Sequence, residues 1–256
     1  MKTGEGVLTM WIKVISLRSP TVKWLSLIAV LITSVWVFKT PAPSSAPVQA
    51  PVPGPVYRVI TSKRAMALTI NVVWGTPYVP KMLAILHHAH VKATFMVGGV
   101  WVRNHPEIVR QMVSDGMEIG NHGWNHGHPA SMSVAENVLD IEKTNEAVKA
   151  AANVSPRVYA PPYGELGPSV LTAASELRMP LVMWTIDTID WRPSSQVTYM
   201  VNKVLQNAAP GSIVLMHPTD RTVAALNQIV QGLRSQGYQL VTVSQLLKMG
   251  TPVGDG

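Results

Sequence analysis

From Tyr57 onward the chain alternates short apolar runs with longer segments whose apolar positions repeat at the helical period. The runs at 65–72, 93–97, 117–120, 157–160, 181–186, 212–217 and 239–243 are set off by turn formers and predict strands. Between them, 78–90, 105–114, 133–151, 168–177, 197–207 and 222–235 predict helices. The third helix opens Ser133-Val134-Ala135-Glu136, a capping box in which serine and glutamate each satisfy a free backbone amide. Strand–helix alternation predicts an α/β domain, a parallel sheet covered by helices. About seven such units suffice for a distorted (β/α) barrel, with an open doubly wound sheet as the alternative.

The pattern before Tyr57 is different. Lys2, Lys13, Arg18 and Lys23 precede an uncharged apolar stretch from Trp24 to Phe38, closed by Lys39. The stretch is short beside the roughly 17–25 residues of a spanning helix. Snorkelling lysines, with Thr21 and Val22 added, make up the difference. Each small-residue cleavage candidate is followed by proline (Ala42-Pro43, Ala46-Pro47, Ala50-Pro51), which argues for an uncleaved signal anchor over 1–39. The basic residues put the N-terminus in the cytoplasm and the remainder on the extracytoplasmic side. Residues 40–56, rich in Pro and Ala, predict an extended linker to a domain at 57–250.

Composition narrows the chemistry. No cysteine occurs among the 256 residues, so thiolate ligands, thiol nucleophiles and disulfides are excluded. The net charge of +7 favours anionic surfaces such as wall polymers or lipid headgroups. Its basic residues are scattered, without a recognisable nucleic-acid module, and nucleic acid is not expected as a partner. No glycine-rich phosphate loop follows any predicted strand. His87, His88 and His90 close the first predicted helix and suit a solvated helix terminus better than a ligand cluster.

Candidate chemistry centres on Gly120-Asn121-His122-Gly123-Trp124-Asn125-His126-Gly127-His128. His122 and His126 follow a predicted strand, at a spacing that lets two imidazoles converge on one ion or simply share a polar loop. Asn71, Pro161-Pro162-Tyr163-Gly164, Asp187 to Trp191 and Leu215-Met216-His217 sit at other strand ends, where α/β proteins gather their reactive groups.

From about Ala67 to Leu247 these motifs, in order and spacing, resemble the polysaccharide deacetylases (NodB-homology domains, carbohydrate esterase family 4). The resemblance implies a distorted (β/α) barrel that removes N-acetyl groups from chitin-like or peptidoglycan sugars with a bound divalent metal such as zinc. It implies metal ligands at His122 and His126, and an oxyanion-binding backbone amide at Tyr163. It further implies Asp190 tuning a general acid at His217, Trp191 helping to wall the acetyl pocket, and Leu215, from the closing Leu-x-His motif, among the substrate-binding residues.

Three positions in two motifs depart from that pattern. The family's Thr-Phe-Asp-Asp-Gly reads Thr69-Ile70-Asn71-Val72-Val73, which puts Asn71 at the general base and Val72 at the third metal ligand. The family's Arg-Pro-Pro-Tyr-Gly reads Ala160-Pro161-Pro162-Tyr163-Gly164, so the arginine that holds the base is also absent. The losses are coherent, because an arginine left beside a vanished carboxylate would be an unpaired buried cation costing about 3–5 kcal/mol. These variants resemble a sporulation-linked, membrane-anchored subgroup, implying a role at the spore or cell envelope. The expectation is a domain that binds N-acetylated glycan with N-deacetylase activity reduced or lost and metal weakly held or lost. The alternative is an active deacetylase in which Glu165, His128 or Asp187 replaces the missing groups.

Overall fold

The computed structural model describes residues 54–254. The expected anchor and nearly all of the expected linker lie outside them, and among the described residues no helix is long and apolar enough to cross a membrane. In chain order the strands are β1 (Arg58–Ile60), β2 (Ala65–Val72), β3 (Thr94–Val97), β4 (Glu118–Asn121), β5 (Ile186–Asp187), β6 (Ile213–Met216), β7 (Gln239–Val241) and β8 (Thr251–Val253). The helices are α1 (Val79–His88), α2 (Gly99–Asn104), α3 (Pro106–Ser114), α4 (Val134–Ala152), α5 (Pro168–Glu176), α6 (Val197–Gln206), α7 (Asp220–Ser235) and α8 (Val243–Leu246).

Strand β2 is buried along its whole length and organises the sheet. The order is β4-β3-β2-β6-β5, all parallel, with β7 paired to the first residues of β2. Even-numbered residues Met66, Leu68, Ile70 and Val72 point into the core shared with the helices. Ala65 and Ala67 point the other way, into an interior with Met96, Val158, Ala160 and Ile213. Small side chains dominate that inner face because little room remains there. At Gly120 a Cβ would collide with the sulfur of Met96.

The α/β class and the parallel sheet are as the hydrophobic pattern predicts, but two predicted strands are barely formed. Residues 157–160 contribute only a bridge at Tyr159, to Asn121 on one side and Leu181 on the other. The run at 181–186 splits into bridges at Leu181 and Val182 and then β5. Pro156, Pro161, Pro162 and Pro180 flank these segments and cannot donate to a ladder. The bridges nonetheless carry the sheet round from β4 towards β5, giving a distorted, barrel-like arrangement.

Four elements lie outside the predicted ones: β1, β8, α2 and the short α8. β1 pairs antiparallel with β8. Helix α2 precedes α3, and the two are separated at His105 (φ −137°, ψ 48°), where Pro106 disfavours helical backbone in the residue before it. The capping box on α4 forms as expected. Ser133 Oγ accepts from the Glu136 amide at 3.2 Å, and the glutamate carboxylate accepts from the Ser133 amide at 2.8 Å. His87 and His88 end α1 exposed to solvent.

Candidate functional site

Parallel strands end on one side of the sheet, and there β2, β4 and β6 deliver Asn71, His122 and His217 to one cleft of about 360 Å³. Trp74, His126, Tyr163, Trp184, Asp187, Trp191 and Leu215 complete its lining.

His122 follows β4 directly, its amide donating to Val97 O at 3.0 Å. The Asn121 side chain holds the turn by donating to Ile141 O and accepting from the Gly123 amide. His122 Nδ1–H donates to the carbonyl of Ala160 at 2.7 Å, which leaves Nε2 as the free nitrogen. The ring is buried, and its pKa is pushed down to about 3. Burial is the main cause, and the neighbouring His126 and His217 add to it against the raising effect of the Ala160 carbonyl. His126 sits 5.0 Å away, ring centroid to centroid, on left-handed backbone (φ 57°). Its pKa is also lowered, by burial first and then by His217 and His128. The loop between the two histidines is pinned to α4, where Asp140 accepts from the Trp124 amide at 2.8 Å.

Across the cleft, His217 Nδ1–H donates to Asp190 Oδ1 at 2.8 Å, and its backbone amide donates to Oδ2 at 2.6 Å. The Thr222 hydroxyl donates to Oδ2 at 2.6 Å, so the fully buried carboxylate has three donors. Trp74 lies parallel to the His217 ring, centroids 6.0 Å apart. Gly75 (φ +72°) makes this approach possible, since a Cβ there would strike the Pro218 carbonyl. Leu215, on β6, forms part of the floor, and Trp191 is half exposed at the rim.

The opposite wall is built differently. Asn71 is buried, and its Oδ1 has no hydrogen-bond partner. Ala160 supplies its carbonyl to His122, and its methyl group packs in the barrel interior. Val72 is fully buried in the helix-facing core and does not line the cleft.

The three substitute candidates go separate ways. Glu165 turns to His128, Oε1 to Nδ1 at 2.7 Å, and this hydrogen bond lowers the glutamate pKa. The His128 ring stacks on Tyr163 at 4.4 Å and does not line the cleft. Asp187 does line the cleft, but its carboxylate accepts from the Ile189 amide at 2.7 Å and from the Trp191 indole at 3.5 Å. A divalent ion therefore finds two imidazoles here. Among the described residues no group of three His, Cys, Asp or Glu side chains could hold one, which is short of the three protein ligands of a catalytic zinc. The donor set does not fit the family's metal.

Of the motif residues, Asn71, His122, His126, Tyr163, Trp191, Leu215 and His217 meet in the cleft with Asp190 behind His217, whereas the side chains of Val72 and Ala160 face away from it. Trp74 and Trp184 were not picked out as cleft residues. The only hint in the sequence is a composition with eight tryptophans against two phenylalanines.

Comparison with known proteins agrees with this geometry. A family model described as polysaccharide deacetylase matches residues 58–182. The chain is 39% identical over 196 residues to YlxY of Bacillus subtilis, covering 76% of this chain but only 61% of that protein's length. It is 35% identical over 202 residues to a peptidoglycan-N-acetylglucosamine deacetylase of Bacillus cereus, covering 75% of this chain and 92% of the enzyme. The crystal structure of a CE4 family pseudoenzyme from Bacillus anthracis aligns with a TM-score of 0.73 at 38% identity, covering 76% of this chain and 69% of that one. A mutant of the same pseudoenzyme, described as having restored enzymatic activity, aligns with the same TM-score at 36% identity, covering 76% and 71%. With this identity over most of the length of a deacetylase and of a CE4 pseudoenzyme, and with the histidine and Asp–His motifs gathered in one cleft, the chain belongs to the polysaccharide deacetylase family, carbohydrate esterase family 4.

Proposed function

We propose that this protein is a glycan-binding member of its family, held on the extracytoplasmic side by its N-terminal segment. On this reading it engages N-acetylated sugar of the peptidoglycan type with N-deacetylase turnover greatly reduced or lost. The observation that carries the reading is the wall at Asn71, where a carboxylic acid base would be needed and a buried amide stands with an unpartnered oxygen. An amide cannot usefully take a proton, and losing a general base costs about 10²- to 10⁴-fold in rate. A CE4 pseudoenzyme and peptidoglycan deacetylases among the relatives support both halves of the reading.

The test is zinc content by elemental analysis together with acetate release from N-acetylglucosamine oligomers, on the full chain. Sub-stoichiometric zinc and no acetate are expected. Turnover that disappears in His126→Ala would establish the active alternative, for which Asp187 is the carboxylate already in the cleft. Asn71→Asp combined with Ala160→Arg returns an acid and its cation to the empty wall, and higher zinc occupancy is expected. Adding Val72→Asp then separates two placements. A further gain in zinc puts position 72 at the site, whereas lower stability without a gain keeps it in the helix-facing core.

A further inference from the structure

A second depression of about 500 Å³ adjoins the cleft and shares three side chains with it, Trp74, His126 and Tyr163. These three therefore divide two hollows. Beyond them lie the indoles of Trp101 and Trp124 and the side-chain amides of Asn104 and Asn125. The tryptophans of the described residues, at 74, 101, 124, 184 and 191, all border one hollow or the other. The largest fully buried side chains, by contrast, are Tyr159, Phe95 and aliphatic residues. Trp101 is mostly buried and donates its indole N–H to Thr76, which makes it floor; Trp74 is nearly half exposed. A flat indole suits the apolar C–H face of a pyranose, and amides suit the hydroxyls and acetamido groups around its edge.

The charges beside the groove add a second feature. The Arg103 guanidinium lies 5.3 Å, and the Lys143 ammonium 4.2 Å, from the centroid of the Trp124 ring. Both side chains are exposed, and among the described residues neither forms an ion pair. Cation–π contact orients them. Lys143 also acts on the Asp140 carboxylate, whose pKa burial raises and Lys143 draws back down, so an anion at this edge meets the Arg103 charge and a Lys143 charge partly offset by Asp140.

The geometry points to the groove as a second sugar subsite, next to the ring held in the cleft and selective for an N-acetylated sugar that carries a carboxylate. The ligand is then at least a disaccharide of a carboxylate-bearing amino-sugar polymer, as peptidoglycan is. This rests on the glycan-binding reading above and adds the identity of the neighbouring ring.

Calorimetric titration of the full chain with two probes tests it: a muramic-acid-containing peptidoglycan tetrasaccharide, and the neutral N-acetylglucosamine tetramer. The acidic tetrasaccharide is expected to bind more tightly. The double variant Arg103→Gln, Lys143→Gln should weaken it by about fivefold, the effect of two exposed charge contacts of ordinary strength, and leave the neutral tetramer unchanged. Binding of both probes without a preference, or an equal loss for both in the variant, overturns the acidic subsite and leaves glycan binding standing. If neither probe binds the wild-type chain, the glycan-binding reading falls and the subsite with it.

Discussion

The two walls of the cleft are finished to different degrees. On the side of β4 and β6, His122 Nδ1 has the Ala160 carbonyl, His217 has Asp190, and Asp190 has three donors. On the side of β2, Asn71 is as buried as these groups and its oxygen has no partner. Buried polar groups are normally paired, because leaving one unpaired costs about 1–3 kcal/mol. The contrast teaches that loss of the acidic residues did not dismantle the site. One wall kept its hydrogen-bonded scaffold, and the other gave up its charge while remaining closed to water.

The largest effect should come from the finished wall. Asp190→Ala leaves the His217 amide, the His217 ring N–H and the Thr222 hydroxyl without their acceptor in a buried setting. The expected cost is about 3–5 kcal/mol, measured as a fall in the urea midpoint. A loss below about 1 kcal/mol would mean that this wall is no more committed than the other, and the comparison would fail.

Acid should expose the same wall by a smaller amount. His122 titrates near 3 in the folded chain, well below the ordinary 6.5, and His126 is shifted in the same direction. As pH falls below about 6.5 the unfolded chain takes up protons that the folded chain refuses, so stability is complete above that pH and declines towards 3. His122 contributes at most about 1.4 kcal/mol per pH unit in that window, and the half-exposed His126 adds in the same direction. Urea midpoints at pH 7 and pH 4.5 measure the slope, and His122→Gln should flatten it. An unchanged slope in that variant would place the acid sensitivity elsewhere.

Much of this was legible along the chain, for reasons that differ by residue. His122 and His126 announce themselves because both imidazoles sit in one short loop after one strand, and Asp190 and His217 because each closes a recognisable run. The face of Val72 can be read from the strand itself. β2 is buried on both faces, but its large apolar residues Met66, Leu68, Ile70 and Val72 share one parity while Ala65, Ala67, Thr69 and Asn71 share the other, so the period of two sets Val72 opposite Asn71 and the packing agrees. The pairing of β1 with β8 joins the two ends of the described domain through three-residue strands, too short for any local pattern. The groove escaped because Trp74, Trp101 and Trp124 come from three separate segments, each of which reads as ordinary loop or helix.

The smallest effect is the one that most sharpens the contrast. Asn71→Leu keeps the volume and removes the unpartnered oxygen together with its desolvation cost. If the wall at β2 is truly unsatisfied in the free protein, stability should hold or rise by up to about 1 kcal/mol, because the folded state no longer buries a polar group for nothing. A loss of more than about 1 kcal/mol in stability would show instead that the amide is hydrogen-bonded in solution through water. The two walls would then be equally complete, and the contrast between them would disappear.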